Sequence, residues 1–247
     1  MFSYDAPSDL LKDRVILVTG AGGGIGRAAA MAFGSCGAEV ILSGSNTERL
    51  EQTYDLMLAG GCREPTIYTF DLRCVDEQPY VEFADAVHSE FGHLHGLLHN
   101  ASLLGEIKPI AQQTLQTWRD VQQVNVNSAF MLSKAMLPAL QSAQDASLVF
   151  TSSGVGRRGR AYWGAYATSK FATEGLMQVL ADEMENTSNV RVNSVNPGAT
   201  NTAMRRTAYP GEVPESNPTP DDIMPIYLYL MGTASLGING QALSAQV

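Results

Sequence analysis

Residues 14–26 read Arg14-Val-Ile-Leu-Val-Thr19-Gly20-Ala-Gly-Gly-Gly24-Ile-Gly26, and this stretch decides the fold. Its first six residues form a short apolar run with β-branched side chains, the pattern of a strand buried on both faces. A glycine-rich turn follows at once. Residues 27–36 then read as a helix of small side chains, stopped by Gly37. Strand, glycine turn and helix together are how a doubly wound fold cradles a pyrophosphate. Glycine lets the backbone come close, and the helix N-terminus offers free N–H groups at the positive end of its dipole. No Gly-Lys-Ser/Thr follows, which excludes a P-loop.

Outward from this unit the alternation continues. Apolar runs at 40–43, 66–71, 94–100, 147–152 and 190–195 read as strands, with a short last one at 241–244. Helical patterns fill 47–58, 76–91, 115–140 and 162–185, and Thr219-Pro-Asp-Asp has the cap, proline and acids that start a final helix. Strands alternating with helices imply parallel crossover units. The fold class expected is α/β, a doubly wound parallel sheet (Rossmann fold) in three α/β/α layers. One dinucleotide-binding and catalytic domain covers 1–247, with a substrate loop at 199–219.

Composition bounds the function. The 247 residues are 45% hydrophobic and 17% charged, enough for a sizeable core. A formal net charge of -9 repels a phosphate backbone, so no nucleic acid partner is expected. Cys36, Cys62 and Cys74 are odd in number and fit neither a zinc site nor a Cys-x-x-Cys pair, so they read as free thiols. Asp5 and Asp9 interrupt a start that has no apolar segment, and no apolar run nears the ~20 residues that span a bilayer. A cytoplasmic protein without membrane partners is the expectation.

Tyr166-Ala-Thr-Ser-Lys170 sets a phenol and an ammonium on one helix face. A cation there favours phenolate and lowers the Tyr pKa, which suits a proton donor to a forming alkoxide. Alone, the pair is what a solvated helix face also presents. Ser153 ends the fifth strand thirteen residues earlier, at the carboxyl edge where open α/β sheets hold ligands. Ser152 is its neighbour, turned away by strand alternation.

The spacing Thr19-Gly20-x-x-x-Gly24-x-Gly26 resembles the cofactor motif of the short-chain dehydrogenases/reductases, in their compact single-domain branch. The likeness runs over essentially the whole chain. The segments Val124-Asn-Val-Asn127 and Phe150-Thr-Ser-Ser153, with the C-terminal half, are similar to YciK-type bacterial oxidoreductases. The resemblance implies an NAD(P)-dependent oxidoreductase moving a hydride between the dinucleotide and a carbonyl or alcohol. It implies a homodimer or homotetramer acting on a small molecule. It assigns Ser153 to the substrate oxygen, Tyr166 to the proton, Lys170 to the cofactor ribose and to lowering the Tyr pKa, and Asn125 to a water on the Lys side.

The remaining cofactor contacts carry over by position. Gly20, Gly24, Ile25 and Gly26 form the turn. Asp71 meets the adenine amino group, with Leu72 beside it. Asn100-Ala101 lines the adenine ribose side, and Ser102 stands next to them where the family has glycine. Pro197-Gly198 is the turn after the sixth strand, and Thr200 and Thr202 meet the carboxamide and phosphates. Gly44 stands where an acidic residue would reject a 2′-phosphate, and Gly23 and Ser45 stand where basic residues usually attract one. Arg49 is within reach. The balance slightly favours NADP over NAD.

Other signals weigh less. His95 and His99, four residues apart on one strand, are separated by about 13 Å, too far for one zinc, so no metal is expected. Arg157, Arg158 and Arg160 read as a solvated loop, or as a patch for an anionic substrate or a neighbouring subunit. A non-catalytic dinucleotide sensor or scaffold remains the alternative function. The length and glycine spacing disfavour a lyase or epimerase of the longer branch.

Overall fold

The computed structural model describes residues 1–246. In chain order its strands are β1 (Val15–Thr19), β2 (Glu39–Gly44), β3 (Thr66–Thr69), β4 (Gly96–His99), β5 (Ala146–Thr151), β6 (Val190–Asn196) and β7 (Ala242–Ser244). Its helices are α1 (Gly24–Ser35), α2 (Thr47–Ala59), α3 (Gln78–Phe91), α4 (Leu115–Gln122), α5 (Ser128–Gln141), α6 (Gly164–Glu185), α7 (Ala203–Ala208) and α8 (Met224–Met231). The strands form one sheet in the order β3-β2-β1-β4-β5-β6-β7, with every neighbouring pair parallel.

Alternation along β1 explains the layers. Val15 and Leu17 face a core built with Tyr80, Phe83 and Leu132 from α3 and α5, together with Met177 of α6. Ile16 and Val18 face the opposite core, built with Phe33, Met57 and Tyr227 from α1, α2 and α8. Burial on both faces is why these strands are apolar throughout. The chain order reverses between β1 and β4, so the loops leaving those strands diverge and open a crevice at the carboxyl edge. No helix among the described residues is long and apolar enough to cross a membrane.

Three elements differ from the sequence expectation. The helix read over 115–140 is broken by a wide π-helical turn at Gln123–Asn127, between α4 and α5. Such a turn shifts the apolar repeat by one residue over a single turn, too short a change to read from the pattern of one sequence. The stretch from 203 read as an irregular loop contains α7, six residues capped by Thr202, whose hydroxyl accepts from Arg205 N at 3.1 Å. The last helix starts later than Thr219. Thr219 and Asp222 cap each other at 2.7 and 3.3 Å, a short 3₁₀ turn follows at Asp221–Ile223, and α8 begins at Met224. Pro225, without an N–H, sits where only a first turn tolerates it.

Candidate active site

The end of β1 is joined to the end of β4 by one side chain. Thr19 Oγ1 accepts from Asn100 N at 3.0 Å and from Ala101 N at 3.1 Å, and donates to Leu98 O at 3.2 Å. Asn100 Nδ2 returns a bond to Thr19 O at 3.2 Å. Beneath this clasp a Cβ on Gly26 would lie 2.2 Å from Gly20 O and 2.6 Å from Asn100 Nδ2, so only glycine fits. Gly20 itself has φ +69°, which favours the same residue. Gly23 caps α1 with no side chain across its free N–H groups, and a Cβ there would meet nothing within 4 Å. The helix N-terminus is therefore open toward the crevice.

The crevice has a volume of about 500 Å³. Every cofactor contact expected from the sequence faces it except Gly26, which lies under the turn as its packing support. Gly44, Ser45, Asn46 and Arg49 close one end. The Arg49 guanidinium has no carboxylate partner among the described residues. Gln246, which the sequence did not flag, steadies the Pro197-Gly198 turn by donating to Pro197 O at 2.8 Å and Ala199 O at 2.9 Å.

Ser153, Tyr166 and Lys170 meet at the other end. Ser153 heads a short turn after β5, its Oγ accepting from Val155 N at 3.4 Å. The hydroxyls of Ser102 and Ser153 both lie against the Tyr166 phenol. Lys170 is 4% exposed, and its Nζ donates to Thr151 O at 2.7 Å, 5.5 Å from the Tyr166 ring centre. Burial lowers the Lys170 pKa to about 8, while Glu174 one turn on opposes the fall. Burial pushes the Tyr166 pKa up to about 12, against the two serine hydroxyls, which ease it down. The sequence reading expected Lys170 to lower it. Here desolvation of the phenol dominates, and the two serine hydroxyls rather than Lys170 ease it down; the ammonium is directed to the Thr151 carbonyl.

Asn125 lies in the π turn and does not line the crevice. Its Oδ1 accepts from Leu103 N at 2.7 Å, and its Nδ2 donates to Leu103 O at 2.9 Å and Ser169 Oγ at 2.9 Å. The side chain thus pins the loop after β4 to α6. The histidine nitrogens are engaged elsewhere: His95 Nδ1 accepts from Val15 N at 3.0 Å, and His99 Nε2 pairs with Ser133 Oγ at 2.8 Å. Burial, with Lys170 nearby, drives the His99 pKa down to about 3.

An apolar wall covers the reactive end. Leu104, Trp163, Tyr166 and Ala167 pack with Met204, Ala208 and Tyr209 of the α7 segment. Arg205 stacks 3.7 Å over the Tyr209 ring and pairs with both Glu212 oxygens at 2.6 Å. The three arginines of the 157–160 loop do not form one patch. Arg157 turns away to Leu243 O at 2.6 Å, Ser244 Oγ at 3.0 Å and Glu174 Oε1 at 3.4 Å, tying β7 to α6. Arg160 donates to the Tyr209 hydroxyl, and Arg158 is exposed. Their adjacency in sequence suggested a joint role that the turn after Ser153 disperses.

Comparison with known proteins agrees with this architecture. The chain matches the short chain dehydrogenase family profile over residues 14–212. It is 51% identical over 243 residues to the Escherichia coli oxidoreductase YciK, covering 98% of this chain and 96% of that one. A short chain dehydrogenase structure from Pseudomonas syringae superposes with a TM-score of 0.98 at 55% identity, covering 100% of each chain. Another, from Shigella flexneri and complexed with NADP, gives 0.95 at 50% identity, covering 98% of this chain and 100% of that one.

Proposed function

The chain belongs to the short-chain dehydrogenase family, and from that premise we propose that it interconverts a carbonyl compound and its alcohol using NADP(H). The observation that carries this reading is the convergence of Ser153, Tyr166 and Lys170 on one end of a crevice whose other end is a glycine turn. The turn fits a dinucleotide: Gly26 leaves no room for a Cβ, and the α1 N-terminus is uncapped toward the crevice. When bound, the nicotinamide supplies or accepts the hydride. The rest of the work falls to this chain.

In reduction, Ser153 Oγ donates to the substrate oxygen and orients it. The Tyr166 hydroxyl, held protonated by burial, gives its proton to that oxygen as negative charge develops. Lys170 holds the cofactor ribose, and its charge favours the resulting phenolate. Asn125 fixes the Leu103 loop and the α6 face that carries Tyr166, through Ser169, whose Oγ donates to Tyr166 O at 2.8 Å. Residues 199–219, with α7, cover the substrate.

NADP(H) is preferred over NAD(H). Gly44 presents no acid to a 2′-phosphate, and the unpaired Arg49 offers it a donor fork. The NADP complex of the Shigella relative supports the same choice. Phe130 on α5 and Phe171 on α6 are 50% and 46% exposed, which supports a homo-oligomer.

Tyr166→Phe tests the reading. The ring stays and the transferable proton goes, so NADPH binding should hold while turnover over a carbonyl panel falls about a hundredfold or more. Turnover near that of the parent protein would remove Tyr166 from the chemistry. NADPH binding with no turnover in either protein would favour a sensor.

A further inference from the structure

The turn that follows β6 emerges beside Ser153, because β6 runs parallel to β5 with Val195 opposite Thr151. Pro197, Gly198 and Thr200 of that turn line the crevice. Behind them stands Gln246, two residues beyond β7, which the proposed chemistry does not use. A glutamine amide carries two N–H groups. Gln246 spends both on this turn: Nε2 donates to Pro197 O at 2.8 Å and to Ala199 O at 2.9 Å. The packing is as close as the bonding. Gly198 has φ +73°, and a Cβ on it would lie 2.7 Å from Gln246 Cδ.

The turn depends on this amide. Asn196 Oδ1 accepts from Gly198 N at 3.1 Å, and Thr200 Oγ1 donates to Pro197 O at 3.2 Å. Among the described residues, Ala199 O has no donor besides Gln246. The segment that carries Gln246 is itself anchored. Ala245 N donates to Asn196 O at 2.9 Å, and Ala245 O accepts from Phe2 N at 2.8 Å. Arg157, four residues after Ser153, donates to Leu243 O at 2.6 Å and to Ser244 Oγ at 3.0 Å. One held segment therefore joins the turn that Ser153 heads to the turn at 197–200. We propose that Gln246 is a positioning residue for the nicotinamide half of the dinucleotide: it fixes the 197–200 turn on which that half lies, and so sets the ring's distance from the Ser153 and Tyr166 hydroxyls. This inference rests on the cofactor reading given above, in which Thr200 meets the carboxamide.

The role is confined to one half of the cofactor. Gly44, Ser45, Asn46 and Arg49 close the opposite end of the crevice, and Gln246 makes no hydrogen bond there or to the glycine turn. Loss of its donors should leave the adenine half held and let the nicotinamide half wander. Misplacement of about 1 Å at a reacting centre is costly, because transfer needs the reacting atoms in near contact. The chemistry of the contact is also specific. Methionine fills a similar length without a donor, and glutamate sets an acceptor against two carbonyls.

Calorimetry with NADPH and with ADP-ribose 2′-phosphate tests this, since the second ligand keeps the adenine half and the pyrophosphate and lacks the nicotinamide. The proteins are the parent, Gln246→Met and Gln246→Glu. In Gln246→Met the dissociation constant for NADPH should rise about tenfold, the scale of one to two net hydrogen bonds, while that for ADP-ribose 2′-phosphate stays within about twofold. Gln246→Glu should bind NADPH more weakly still. Equal loss of both ligands, including loss through misfolding, would make Gln246 a general structural tie and overturns the proposal. NADPH bound by Gln246→Met as tightly as by the parent overturns it too. So does a Gln246→Glu protein that binds NADPH no more weakly than Gln246→Met, because filling the space would then suffice. A parent protein that binds neither ligand would overturn the cofactor reading and this inference together. Turnover by Tyr166→Phe reports on the reactive residues alone, so each of those failures is distinguishable from failure at Gln246.

Discussion

The two ends of the crevice are built from different materials. At the glycine turn the backbone does the work: Gly20, Gly23 and Gly26 allow close approach, and the one clasping side chain, Thr19, bonds to main-chain groups. At the α7 end side chains do the work: Trp163, Tyr209, Arg205 and Glu212 pack on one another over the reactive residues. A backbone-built surface suits a ligand that never changes, because almost any added atom collides. A side-chain-built surface suits a ligand that differs between relatives, because contacts can be exchanged without moving the scaffold. The first end should fail abruptly when altered, and the second by degrees.

The largest effect should come from Gly26→Ala. Its methyl would enter the Gly20 carbonyl at 2.2 Å, and neither that carbonyl nor the helix can yield cheaply. Overpacking of this kind should cost about 3 kcal/mol, or roughly 6–12 °C in melting temperature for a chain of this size. Displacement of the turn by about 1 Å should weaken NADPH binding on the order of a hundredfold. Thermal melts and a fluorescence titration check both. A variant that binds NADPH normally would break the distinction between the two ends.

A smaller effect should appear with pH, at the residue that links them. Burial has lowered Lys170 from its ordinary 10.5 to about 8. If charged Lys170 is required, kcat/KM for reduction should be level below pH 8 and fall by up to about tenfold per unit above it. The sign for stability is opposite. Between about 8 and 10.5 the unfolded chain binds the proton that the native protein has lost, so the lysine's contribution to unfolding free energy rises with pH across that window. Glu174 and His99 face the same lysine. His99 is neutral throughout this range, so it adds no limb of its own. A rate flat to pH 10 would remove the charge requirement.

This contrast also explains what could be read in advance. The sheet and the glycine turn were legible because buried parallel strands are continuously apolar and because the turn leaves no alternative to glycine at Gly20 and Gly26. Spacing alone left Tyr166 and Lys170 open to a solvated reading, and it was the resemblance to the short-chain dehydrogenases that joined them to Ser153. Three things were not legible. The π turn that carries Asn125 shifts the apolar pattern by only one residue within a single turn. The contacts of Asn125 with Leu103 and Ser169 depend on a loop whose path no local signal sets. The height of the Tyr166 pKa depends on desolvation, which is a property of the whole packed site rather than of the Tyr-x-x-x-Lys spacing. The substrate wall was hidden for a related reason. Residues 203–218 are polar and proline-containing, and Tyr209, at the end of α7, is held by Trp163 and Arg160, more than 40 residues away in sequence.

The smallest effects should lie in that wall, and they sharpen the comparison best. Tyr209 is touched on three sides: by Arg205 at 3.7 Å over the ring, by Arg160 at the hydroxyl, and by Trp163 with ring centres 5.7 Å apart. A stacked cation at a half-open site is worth about 0.5–1 kcal/mol, and an aromatic pair contributes about 0.5–1.5 kcal/mol. Tyr209→Leu keeps bulk but loses both, so the covering position of α7 becomes less populated. The apparent affinity for substrate falls with that population. KM should rise about tenfold while kcat and NADPH affinity hold, because Tyr209 packs in the wall but makes no hydrogen bond to the Tyr166 hydroxyl or to the glycine turn. Glu212→Gln should do less. It breaks a pair that water reaches, and solvent-screened pairs contribute little. KM should then rise no more than about fivefold, and added salt should shrink the difference between the parent and Glu212→Gln. Steady-state kinetics on both variants, with NADPH titrations beside them, measure the separation of the two ends. If either variant weakens NADPH binding as much as it raises KM, the substrate wall and the glycine turn are one cooperative unit.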